Sequence, residues 1–350
     1  MNNVKQNKLI YWLKKKKRPI IGLGTLILII FMIFFVDFKS FINKVIIIGL
    51  IGAIIFGLLY TIAFLFRSYK LKLIFKGLNC NIKYTTSYFS IGACFLINDV
   101  SPGKLGDFAK MALIKDQESM QLSDSVCGIT IERVLDLFLL FIISCFSIFY
   151  LYLNDFRYTK SIMVFGQSME IYLIMGAILL ILILIGLITL IYKTEFLLGI
   201  IKRISPKLAN YLNRFILNFK SGIIKFRHNK KGFAYIIFIG ILTWIIDAGL
   251  IIIFFYSLGY HLNVILLILA IILSYFCKTF PITPGGWGIS ENIGAFFIFL
   301  FYPQIPFIEL LAIFIIDHLF RSVYIFFYGG FSVFHYNFKI KEIEKIDKTI

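Results

Sequence analysis

Apolar residues run along this chain in long blocks, with the polar positions clustered between them. Blocks at residues 19–36, 45–66, 125–153, 171–192, 233–258 and 307–334 reach or approach the ~20 residues that carry a helix across a bilayer. Four other segments, at 84–97, 102–115, 264–280 and 289–302, are too short or too polar to cross comfortably alone. They come in two pairs, and each pair meets at a polar break. The first break reads Asn98-Asp99-Val100-Ser101-Pro102-Gly103-Lys104-Leu105-Gly106-Asp107. The second reads Lys278-Thr279-Phe280-Pro281-Ile282-Thr283-Pro284-Gly285-Gly286-Trp287-Gly288-Ile289-Ser290-Glu291. Both place a hydroxyl residue before Pro-Gly-x-x-Gly, and Pro102 and Pro284 stand 182 positions apart. Ser101-Pro102 and Thr283-Pro284 are helix-start signatures, a hydroxyl N-cap followed by proline at the first helical position.

Charge decides how these pieces thread the membrane. If every short segment before a break spanned fully, the segment 193–231, with ten Lys/Arg, would lie outside, against the positive-inside rule. If each break is instead the tip of a re-entrant hairpin, 27 of the 36 Lys/Arg fall on the cytoplasmic side and 4 outside. That count includes Arg67, Lys70, Lys72, Lys76 and Lys83 as a basic loop after the second span. The expected fold is therefore an all-α polytopic membrane protein with six full transmembrane helices and two oppositely oriented re-entrant hairpins. Each half, near 19–153 and 170–334, reads span, span, hairpin, span in opposite orientation, an inverted repeat of the kind transporters use. Residues 1–335 form one integral membrane domain and 336–350 a charged tail, with both termini cytoplasmic. Part of the large basic loop, at 208–224, is amphipathic and expected on the membrane surface.

Composition agrees: 60% of the 350 residues are hydrophobic, 15% are charged, and mean hydropathy is +0.90. The net charge of +18 reads as topology signal and anionic-lipid contact, because the basic residues lie between apolar blocks. Nucleic acid is not an expected partner. The five cysteines and four histidines are dispersed, and no zinc, nucleotide or serine-hydrolase motif is present, so neither metal nor cofactor is expected.

The breaks carry the candidate chemistry. Irregular backbone at membrane depth persists only when packed in protein or lining a cavity. Pro102, Gly103, Gly106, Pro284, Gly285, Gly286 and Gly288 either make tight hairpin tips or let a ligand approach the backbone. In the second reading, the two helices that follow aim their N-terminal N–H groups at one point, which suits an anion such as phosphate. Lys104 and Lys278 would strengthen such a site. Asp107 and Lys110 share a helical face and can pair, and Arg133 can reach across to Asp107. Glu132 and Asp136 share a face and need a cation. Asp317 and Arg321 are four apart and suit an intrahelical pair. Ionisable groups inside a bilayer are expensive and usually face a functional interior, which places Glu132, Arg133 and Arg321 along the path. Glu291 divides between packing and the site, Trp287 between a plug and a pocket wall, and His318 is expected to be packed.

These residues resemble a known family, the transmembrane flippase region of lysylphosphatidylglycerol synthases and its stand-alone relatives. The matching pieces are Pro102-Gly103-Lys104-Leu105-Gly106-Asp107, Glu132-Arg133-Val134-Leu135-Asp136, Pro281 to Gly288 with Glu291, and Arg321. Asp107 stands where the family often has glutamate. The resemblance implies a protein of the cytoplasmic membrane that moves a lipid with a charged head group between leaflets. Its substrate-binding residues would be Ser101, Pro102, Gly103, Lys104, Gly106, Asp107, Glu132, Arg133, Asp136, Lys278, Thr283, Pro284, Gly285, Gly286, Gly288, Glu291 and Arg321. Aminoacylated phospholipids and polyprenyl or glycolipid phosphates are both open. The synthase domain is absent, so lysyl transfer is not expected. Partners would be anionic or otherwise charged lipids, with lipid-modifying enzymes or glycosyltransferases beside them. The alternatives are a membrane enzyme acting on lipid-linked sugars, with Asp107, Glu132 or Asp136 as base, and a scaffold for a glycosyltransferase.

Overall fold

The computed structural model of the protein describes residues 38–101, 104–154, 230–279 and 283–336, with isolated positions between 163 and 213. Those isolated positions apart, the spans expected at 19–36 and 171–192, the surface stretch at 208–224, Pro102, Gly103 and the tail from 337 lie outside the described residues. Eight α-helices are described: α1 Phe38–Gly77, α2 Tyr84–Val100, α3 Leu105–Gln117, α4 Leu122–Asn154, α5 Lys230–Ser257, α6 Val264–Thr279, α7 Ser290–Phe301 and α8 Phe307–His335. A small antiparallel ribbon, β1 Met163–Val164 with β2 Gln167–Ser168, follows α4. A 3-10 turn, Pro284–Gly286, stands between α6 and α7.

The apolar blocks dictate α1, α4, α5 and α8, each long and apolar enough to cross a membrane. The chain is a polytopic membrane protein. On the outer face of α1, Ile46, Leu50, Ile51 and Leu58 are 61–76% exposed, which suits a surface whose solvent is lipid. At ~1.5 Å per residue, α2, α3, α6 and α7 are roughly 18 to 26 Å long, short of the ~30 Å hydrocarbon core.

One boundary is corrected. The basic loop expected after residue 66 is helix: α1 continues to Gly77, and Arg67 and Lys70 are 3% and 0% exposed. The end of the apolar block marked a change of environment, not the end of the helix. Both cations persist because carboxylates on other helices meet them.

The packing follows a regular scheme. The most extensive contact joins α1 to α5. Helices α2 and α3 pack as one pair, and α6 and α7 as another. The long helix of one half then covers the incoming arm of the other: α8 lies on α2, and α4 lies on α6. An aromatic column holds α1 to α8. Phe56, Tyr60 and Phe64 on α1 meet Phe320, Tyr324 and Tyr328, with ring centroids 4.9–5.7 Å apart. The Thr61 and Tyr324 hydroxyls pair across the same seam at 2.8 Å.

Candidate functional site

The first break is held by its own side chains. Ser101 is extended and ends α2, and its hydroxyl donates back to the Ile97 carbonyl. Helix α3 begins at Leu105, with Lys104 as a left-handed N-cap at φ 57°. The expected start at Ser101-Pro102 is therefore displaced: Ser101 closes the preceding helix instead of opening the next. The Gly106 N–H donates to Asn98 Oδ1 at 2.8 Å, tying α3 to α2. A Cβ on Gly106 would collide with the Cys94 carbonyl and the Asn98 side chain, so the two helices approach this closely only around glycine.

The second break is built differently. Thr283 is extended and Pro284 opens the 3-10 turn, but α7 itself starts only at Ser290. The Thr283 hydroxyl bonds the Trp287 carbonyl at 3.0 Å and caps no helix N–H. Gly285, Gly286 and Gly288 have φ of 62°, 80° and 85°. Glu291 accepts the Gly288 N–H at 2.8 Å. Thus the N–H groups of Gly106 and Gly288, expected to face an anion, are already taken by Asn98 and Glu291.

The two tips touch. A Cβ on Gly285 would lie 2.6 Å from Asp99 Oδ1, and α2 packs on the 3-10 turn. Beside this junction is a cavity of about 370 Å³. Of the expected site residues, Lys104, Asp107, Arg133, Asp136, Lys278, Gly285 and Arg321 line it. Ser101, Gly106, Thr283, Pro284, Gly286, Gly288 and Glu291 shape the tips behind it. Glu132 is buried at 2% exposure and faces Lys110.

Most charges around the cavity are paired. Arg133 is bound to Asp107, and Lys110, the alternative partner, goes to Glu132. Asp136 takes Lys70 and the Trp244 indole N–H, the latter at 3.1 Å. Glu132 and Asp136 each thus receive the cation they needed. Arg321 holds Asp317 as expected, through Nε at 2.8 Å and Nη2 at 3.0 Å, and also holds Asp247. Asp247 serves Arg67 at 2.7 Å and accepts from the Tyr275 hydroxyl at 3.0 Å. The Arg67 guanidinium lies among the Phe64, Phe95 and Trp244 rings, 4.9–5.3 Å from their centroids.

Two lysines differ. Among the described residues, the Lys104 ammonium has no hydrogen-bond partner and no carboxylate within 4.0 Å. Lys278 contacts His318 Nε2 at 3.3 Å and the Tyr275 ring face at 5.6 Å. His318 bonds Glu291 through Nδ1, with Trp287 stacked on its ring at 3.9 Å.

Sequence reasoning missed Arg67, Asp247, Asp99, Tyr275, Trp244 and the cavity position of His318. Asp247 had a signal, being the lone charge in the block at 233–258. Arg67 had none, because it adjoins genuine basic positions.

The family described as Lysylphosphatidylglycerol synthase TM region matches residues 20–329, most of the chain. No synthase domain is detected with it. No curated protein and no solved structure matches the chain.

Proposed function

The chain belongs to the lysylphosphatidylglycerol synthase TM region family, and from that premise we propose that it carries a lipid with a charged or phosphate-bearing head group across the cytoplasmic membrane. One observation carries this reading: a cavity within the helical bundle, its walls largely apolar, bounded by both breaks and by charged side chains from α1, α4, α5 and α8. Its ~370 Å³ falls within the roughly 300–1,000 Å³ of pockets that take small molecules, enough for a head group but not for acyl chains. The head group would shed water for Lys104 and Lys278, while its chains stay in lipid.

The topology proposed with it is two oppositely oriented re-entrant hairpins, α2–α3 and α6–α7, with both termini cytoplasmic. The shortness of these four helices supports it. So does the packing scheme, which maps onto itself when α1–α4 are exchanged for α5–α8. In such an inverted repeat the two halves rock about a fixed central site.

The test is a leaflet assay in proteoliposomes holding fluorescent phosphatidylglycerol. The expected result is translocation faster than in protein-free vesicles. No excess rate with any anionic or polyprenyl-phosphate lipid would overturn the proposal. Recovery of chemically altered lipid would replace it with a membrane enzyme using Asp107, Glu132 or Asp136.

A further inference from the structure

Lys278, His318 and Glu291 form a chain of contacts that head-group binding alone does not require. A lysine ammonium can only donate, so at 3.3 Å His318 Nε2 is the acceptor. The ring proton is then on Nδ1, donated to Glu291 Oε1. In this arrangement His318 is uncharged. It is 4% exposed, flat against Trp287 at an interplanar angle of 7°. A second carboxylate, Asp99 Oδ1, waits 4.0 Å from the same Nε2.

Charge balance says what an anion would do here. Lys70 is matched by Asp136, Lys110 by Glu132, and Arg133 by Asp107. Arg67 and Arg321 are matched by Asp247 and Asp317. Among the described residues, Lys104 and Lys278 are left against Asp99 and Glu291, so these interior side chains sum to zero with His318 uncharged. An entering phosphodiester adds one negative charge to a region where unbalanced charge is expensive. The groups around His318 leave few ways to compensate. Helix α2 brings Asp99, α6 brings Lys278 and Tyr275, α7 brings Glu291, and α8 itself brings Asp317 and Arg321. Helices α5 and α1 bring Asp247 and Arg67, already engaged with each other and with Arg321. The N-terminal edge of α3 brings Lys104, with Asp107 held by Arg133.

We propose that the proton is a second ligand of this site: an anionic head group draws Lys278 off His318, and His318 takes up a proton in its place. One proton passes from water to Nε2, the Nδ1 proton stays with Glu291, and no covalent bond between heavy atoms changes. The imidazolium then bridges Glu291 and Asp99, and lipid plus proton together add no net charge. Translocation of the lipid thereby becomes sensitive to a proton gradient. This rests on the head-group reading above.

The test is calorimetry of short-chain phosphatidylglycerol binding to the full chain in detergent, repeated in buffers of different ionisation enthalpy, which counts protons taken up. Wild-type protein should take up about one proton per lipid bound, and its affinity should fall as pH rises by at most about tenfold per unit, the limit for one linked proton. His318→Gln should bind with no proton uptake. Binding without uptake in wild type, or equal uptake in His318→Gln, overturns the proposal and leaves lipid binding standing. Absence of binding heat in every buffer, with short-chain phosphatidylglycerol and with a short-chain polyprenyl phosphate alike, overturns the head-group reading and this inference together. If His318→Gln does not fold, the wild-type pH series decides: a pH-independent affinity overturns the linkage.

Discussion

The arginines and the lysines around the cavity face the same space and are used in opposite ways. Arg67 and Arg321 converge on Asp247, with Asp317 completing the group, so each guanidinium has a carboxylate and no charge is left over. At the breaks, Lys104 has no carboxylate within 4.0 Å among the described residues, and Lys278 leans on a histidine. The first group binds α1, α5 and α8 to one another. The second has coordinating capacity that the chain itself does not use. A membrane interior thus contains closed charge, which holds shape, and open charge, which can hold a ligand.

Asp247→Asn strikes the closed arginine group directly. It leaves two buried guanidinium groups facing one carboxylate, and removing one partner of a buried ionic group typically costs ~3–5 kcal/mol. Thermal unfolding in detergent should show the largest loss of the series, and a loss no greater than that from a surface substitution would refute the closed group. Next is the Lys110–Glu132 pair. Lys110→Met alone should destabilise by a similar ~3–5 kcal/mol, whereas Lys110→Met with Glu132→Leu should recover most of it, since replacing a whole buried pair is often neutral. Additive losses in that double-mutant cycle would argue against pairing. Gly106→Ala comes third. Its methyl would press on the Cys94 carbonyl and Asn98, for a cost of ~1–3 kcal/mol from overpacking. An unchanged melting temperature would mean the tip can open.

The smallest effect on stability, and the most telling for function, belongs to Lys104→Gly. Lys104 holds φ 57°, where glycine is unstrained, so stability should hold or rise by up to ~1 kcal/mol. Lipid translocation should fall by about tenfold or more, the equivalent of losing one charge-assisted contact. Translocation unaffected by this change would remove Lys104 from the site.

Much of the architecture was legible because lipid imposes a simple rule on length and polarity. The segments expected at 264–280, 289–302 and 307–334 are observed as Val264–Thr279, Ser290–Phe301 and Phe307–His335. Proline and glycine located both breaks, since neither continues a helix readily. The site was legible only in part. Arg321 to Asp317, one helical turn apart, lies within reach of local helical reasoning, and Arg133 to Asp107 spans only 26 positions between neighbouring helices. Arg67 to Asp247 spans 180 positions, and no periodicity announces it. Pattern reading shows that a helix begins, not which side chains take the N–H groups near its start. Asn98 and Glu291 do so here.

Asp247 also sets an order of manufacture. Arg67 leaves the ribosome 180 residues ahead of the carboxylate that will neutralise it. An arginine alone at the centre of a bilayer costs roughly 2.5–3.5 kcal/mol on insertion scales. Until Asp247 is made, an Arg67 seated in the packing would face none of the carboxylate it meets there at 2.7 Å. The Arg67–Asp247 pair can close only once α5 exists, so a helix from the second half of the chain completes the packing of one from the first.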